Sequence, residues 1–91
     1  VPEVILYSLY KFAEACGGYH QFTMSYLMDE TIERDGVSPT TIFGLDRDTM
    51  IRIINGLAIN YPEFISASFS YDLDTITLRK EKKAEDVLDL L

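Results

Sequence analysis

The residues best suited to chemistry stand four apart near the end of the first apolar stretch. Cys16 and His20 are the chain's single cysteine and single histidine. Zinc takes four protein ligands in a structural site and three in a catalytic one, so this pair is at best half a set. Carboxylates such as Asp29 are chemically able to join, yet no spacing fixes one beside the pair. His20 is therefore expected at the surface or on a strand edge. Cys16 has no neighbouring base or cation to make a thiolate and is expected to act as a small buried hydrophobe. The acidic pairs Asp29-Glu30 and Asp72/Asp74 have the composition of a general acid and base. At a helix end and in a turn, such charges are ordinarily solvated. Gly17-Gly18 is not a phosphate cradle, because it lacks the preceding strand and the lysine of a P-loop. The expectation is a domain with no catalytic, cofactor or metal site, and not an enzyme by itself.

Two kinds of contact chemistry remain. Arg52, Asn55 and Asn60 lie on the outward side of the longest predicted helix and have the groups to hydrogen-bond base edges. Arg79, Lys80 and Lys83 form a basic run, with Lys82, of the sort that meets phosphates. Acidic residues weaken both. Asp48 sits four residues before Arg52, a spacing that favours an intrahelical ion pair. The turn at Tyr71–Asp74 carries two acids and no base, and a carboxylate facing a phosphate costs affinity. The second kind is protein contact, with Tyr7, Tyr10, Ile59, Tyr71 and Leu73 as candidates. All five are aromatic or aliphatic residues at positions expected to be exposed, and aromatic residues are enriched in interfaces.

The elements that must hold these residues follow from periodicity. From Pro2 to Cys16 the spacing predicts a helix burying Ile5, Leu6, Leu9, Phe12, Ala13 and Cys16 on one arc, with Tyr7 and Tyr10 on the polar side. Gly17-Gly18 stops it. Tyr19–Thr23 is a short β-prone stretch. Ser25 is placed to cap a second helix from Tyr26 to about Arg34. Asp35-Gly36 marks a turn, and Ser38-Pro39 starts a helical turn that Gly44 ends. Asp46 caps the clearest helix, which runs to about Asn60 and stops before Pro62. Met50, Ile51, Ile53, Ile54, Leu57, Ala58 and Tyr61 form its buried face.

The period then switches to two. Ile65, Ala67 and Phe69 alternate with serines, and Ile76 and Leu78 repeat the pattern within Thr75–Arg79, as in a β-hairpin. Ala84–Leu91 is expected to be a last helix, with Val87, Leu88 and Leu91 at helical spacing. This order is that of a winged helix-turn-helix: an α+β domain, mainly helical, with a short first strand and a two-stranded C-terminal wing.

Ninety-one residues suit one domain, here 1–91, and the 47% apolar fraction is that of a globular chain. No apolar run approaches the ~20 residues of a membrane span. A start at Val1 and an abrupt end at Leu91 are expected of a fragment of a longer protein. One cysteine leaves no internal disulfide, so the cytoplasm is the expected compartment. The net charge of −7 opposes non-specific binding to nucleic acid.

The segment Ser38-Pro-Thr-Thr-Ile-Phe-Gly-Leu-Asp-Arg-Asp48, with Tyr61-Pro-Glu-Phe-Ile65 and Leu73-Asp-Thr-Ile76, resembles the C-terminal region of a prokaryotic family of unknown function. That family is encoded near DNA-phosphorothioation and other defence genes. The resemblance implies winged-helix regions and a link to DNA modification or restriction, and brings no catalytic residue. The expected function is a non-catalytic module for contacts with another protein or with the rest of its own chain. The alternative is a sequence-specific DNA-binding domain. A membrane partner is not expected, and the sequence leaves the oligomeric state open.

Overall fold

The first helix, α1 (Pro2–Ala15), is stopped by its two glycines. Gly17 and Gly18 take φ of 78° and 84°, a region that side chains beyond glycine enter at a cost. Gly18 N–H donates to Ala13 O at 2.9 Å and Gly17 N–H to Glu14 O at 3.1 Å. This pair of bonds is the Schellman closure of a helix end. The structure is a computed structural model and describes residues 2–28, 44–70 and 74–91.

Strand β1 (Gln21–Thr23) runs directly into helix α2, described over Met24–Leu27. The cap is Thr23 and not Ser25. Thr23 already has extended backbone, so its hydroxyl reaches the Tyr26 amide at 3.1 Å, and the strand's last residue opens the helix. The expected remainder of this helix, the Asp35-Gly36 turn and the Ser38-Pro39 helical turn lie outside the described residues.

Helix α3 (Arg47–Asn60) has the expected bounds. Asp46 Oδ1 accepts the Thr49 amide at 2.8 Å, and the Tyr61 amide closes the other end on Leu57 O at 2.7 Å, just before Pro62. Met50, Ile54 and Leu57 are buried, and Ile51, Ile53, Ala58 and Tyr61 pack partly covered against the core.

Strands β2 (Ile65–Phe69) and β3 (Asp74–Leu78) form the hairpin. Asp74, expected in the turn, instead opens β3 opposite Phe69. β1 pairs with the far side of β3, giving an antiparallel sheet of order β1-β3-β2. Phe22, Ile76 and Ala67 thus lie in one row across it. The molecule is an α+β domain with four helices and a three-stranded sheet among its described residues.

The last helix, α4 (Ala84–Leu88), is shorter than expected. Asp86 accepts the Lys83 amide at 2.8 Å, and Glu14 of α1 accepts the Ala84 amide at 3.2 Å, so two of the orphan donors at the start of α4 are met. Val87 is buried, whereas Leu88 and Leu91 are exposed. One turn of helix buries only one side against α1, and Leu88 falls outside that contact.

The larger departure is Tyr10. Expected on the polar side of α1, it is 1% exposed. On the helical wheel it stands about 40° beyond Leu6, so a core arc slightly wider than expected takes it in. Its hydroxyl donates to Phe64 O at 2.6 Å and lies 3.2 Å from Arg79 O, joining α1 to both ends of the hairpin strands. Its ring meets Phe64 edge-on at 6.1 Å.

Candidate functional site

The two residues with most chemical potential are put to structural use. His20 precedes β1, and its Nδ1 donates to Gly18 O across the glycine corner. Cys16 is half-buried and packs partly against the core at the end of α1, rather than being enclosed as expected. Among the described residues no three His, Cys, Asp or Glu side chains gather where a metal ion fits. Asp29, Glu30 and Asp72 lie outside the described residues. Asp74 forms an ion pair with Arg47, tying the turn end of the hairpin to the first turn of α3.

Arg52, Asn55 and Asn60 are all exposed on α3. Asp48, Arg52, Asn55 and Ile59 fall on one stripe, at spacings of four, three and four residues. Asn60 stands off that stripe, in a shallow cleft with Pro2, Glu3 and Gly56, and Arg52 forms its rim. The expected Asp48–Arg52 ion pair is absent among the described contacts. Arg47 is the α3 cation that finds an acid.

The basic run is elsewhere. Arg79, Lys80 and Lys83 follow β3 and are exposed. Arg79 Nε donates to Pro62 O at 3.2 Å, and the Lys82 ammonium lies 5.2 Å from the centre of the Phe64 ring. Lys83 lines a cleft with Lys11 and Glu14. Arg52 lies beside Glu3 and Lys83 beside Glu14, eleven residues apart along α1. At 1.5 Å per residue that is roughly 16 Å, so Arg52 and Lys83 stand towards opposite ends of α1. No family model, curated protein or solved structure matches the chain.

The apolar candidates divide differently. Tyr10 is removed from the surface by its burial, which also pushes its phenol up to about 12. Tyr71 and Leu73 lie outside the described residues. Ile59 is 78% exposed, between Asn55 and Asn60. Tyr7 is half-buried and lines the cleft of about 290 Å³ between α1 and α4, with Leu88 on its other wall. Val4 lies one turn before Tyr7 and Leu91 one turn after Leu88, and both are exposed. Leu88 and Leu91, expected with Val87 at the helical spacing of the last helix, lie outside because α4 is a single short turn, and Val4 has no assignment from periodicity.

One polar tie secures this end of the domain. Tyr61, capping α3, donates its hydroxyl to Glu3 Oε1 at 2.9 Å. The Glu3 carboxyl is held below its ordinary value, first by a backbone hydrogen bond and then by Tyr61. The same bond raises the Tyr61 phenol. No helix among the described residues is long and apolar enough to cross a membrane.

Proposed function

We propose that this domain is a non-catalytic winged-helix module that makes protein or interdomain contacts through the α1–α4 side. The observation that carries the reading is the group of exposed Val4, Leu88 and Leu91 around the half-buried Tyr7 on adjacent elements, set against Arg52 and Lys83 held in separate clefts. Apolar side chains on neighbouring elements gain by mutual coverage, whereas phosphate binding needs cations gathered on one face. The order helix, strand, helix, long helix, hairpin, with β1 joined to β3, supports the winged-helix assignment. The resemblance to the phosphorothioation-associated family adds a DNA-modification or defence setting, in the cytoplasm of a prokaryote.

The second reading, a sequence-specific DNA-binding domain, is favoured by one observation. Arg52 and Asn55 share the outward stripe of α3, with guanidinium and amide groups free to meet base edges. Site-specific photocrosslinking in cells that make the protein separates the two. A photoreactive residue replacing Leu88 is expected to give polypeptide adducts, and one replacing Asn55 none to nucleic acid. Nucleic-acid adducts at position 55 with none at 88 would reverse the assignment.

A further inference from the structure

An open groove of about 640 Å³ lies beside β1, bounded by Ala15 and Cys16 at the end of α1, by Tyr19, and by Tyr26 of α2. Gln21, Phe22 and Thr23, the whole of β1, complete its lining. Successive strand side chains point to opposite faces, so a groove that meets all three residues approaches the strand along its edge. That edge is unfilled among the described residues, because β1 is the outermost strand.

The register shows which backbone groups face it. Leu78 N–H donates to His20 O at 2.8 Å, which makes His20–Leu78 a hydrogen-bonded pair. Antiparallel pairs alternate, so Phe22–Ile76 is the next such pair and Gln21 and Thr23 point away from β3. The Thr23 carbonyl is turned into α2 by its capping role. The Gln21 N–H and C=O and the Thr23 N–H are left on the outer edge.

We infer that this edge is a β-augmentation site, where an extended segment of a partner protein adds a fourth strand and lodges one bulky apolar side chain against the aromatic wall. The backbone groups select a polypeptide, since they match the donor–acceptor spacing of another strand. The wall is built for an apolar side chain. Tyr19 is 66% exposed, and Phe22 stacks on Tyr26 with 19° between ring planes at 6.0 Å. Charge settles the partner's flanks. Among the described residues the lining holds no charged side chain, and the chain carries −7, so an uncharged centre with basic flanks fits and an acidic segment is repelled. This inference rests on the protein-contact reading and falls separately from it, because DNA held by α3 would leave the β1 edge untouched.

The probe is a blocked Lys-Val-Phe-Val-Lys peptide titrated into the ¹⁵N-labelled 91-residue chain. Saturable amide shifts are expected at Ala15, Cys16 and Tyr19–Tyr26, and not on α3. The same peptide with N-methylated backbone at its valines should bind at least roughly tenfold more weakly, having lost its ladder bonds. Tyr19→Ala should weaken binding roughly five- to tenfold. Gln21→Pro should do likewise while β1 stays paired, because proline is tolerated where the N–H points outward. Should Gln21→Pro fail to fold, the methylated peptide carries the same test on the unaltered protein. No saturable shift up to millimolar peptide, or shifts that survive N-methylation, would overturn the inference.

Discussion

Tyr10 shows how a single polar atom organises this core. A buried phenol needs a partner, and the Phe64 and Arg79 carbonyls converge on it from the two ends of the hairpin. Both carbonyls have second donors, Arg79 N–H on Phe64 O and Lys82 N–H on Arg79 O. Removing the hydroxyl therefore leaves neither wholly unpaired. Tyr10→Phe is expected to cost about 1 kcal/mol at neutral pH, read from the urea midpoint. Alkali gives a sharper test. Burial raises the folded-state value to about 12, above an unfolded value near 10. The folded state thus favours the neutral phenol, and its stabilisation is complete below pH 10 and lost as pH rises from 10 to 12. The loss amounts to roughly 2–3 kcal/mol. The stability difference between the wild type and Tyr10→Phe should shrink and then change sign over that window, with the variant about 1–2 kcal/mol the more stable by pH 12, while the remaining tyrosines titrate equally in both. A constant difference would mean that Tyr10 is not buried in this way. Ile59, at 78% exposure, is the opposite case, and Ile59→Ser should change stability by less than about 0.5 kcal/mol.

At the scale of elements, stops and caps decide more than propensity. Gly17 has open space where a Cβ would stand, so Gly17→Ala meets only the backbone penalty of a left-handed residue. It should destabilise by about 1–2 kcal/mol in thermal unfolding, and Gly17→Asn by less. Asp46 holds the start of α3. Its carboxyl is kept below the ordinary value by the Thr49 hydroxyl and then by the Thr49 amide. A depressed acid contributes stability above its unfolded value and loses it as pH falls through the folded one. Asp46→Ala should lower the melting temperature at pH 7 and have progressively less effect towards pH 3, followed by circular dichroism. The bounds of α1 and α3 and the alternation of the hairpin were legible because each has a local cause: two glycines, an aspartate before a periodic run, serines alternating with apolar residues. The α2 cap was not, because Thr23 becomes a cap only once β1 is extended by pairing with β3. Nor was the brevity of α4, since nothing local to Leu88 or Leu91 states that α1 offers room for a single turn.

For the whole molecule, charge and apolar surface point to different faces. The exposed stripe of α3 holds Asp48 and Ile59 with Arg52 and Asn55, and Lys83 lines the separate cleft beside Glu14. Sequence named these cations correctly as exposed, but their separation depends on how α1 lies across both clefts, a tertiary fact. It also named Tyr7, and missed the leucine opposite it for the reason just given. Replacing Leu88 by glutamate would break the apolar strip while leaving the fold intact, since Val87 and not Leu88 packs inward. Its thermal unfolding should match the wild type within about 0.5 kcal/mol. The central claim, contact with protein and not with DNA, is tested most directly by fluorescence anisotropy of a labelled mixed-sequence duplex. The titration is run at about 50 mM and then about 200 mM salt, the range over which phosphate contacts reveal themselves. The account predicts no saturable binding at either concentration. Micromolar or tighter binding at low salt, falling steeply at high salt and lost in Arg52→Ala, would contradict it and make α3 a DNA-reading helix.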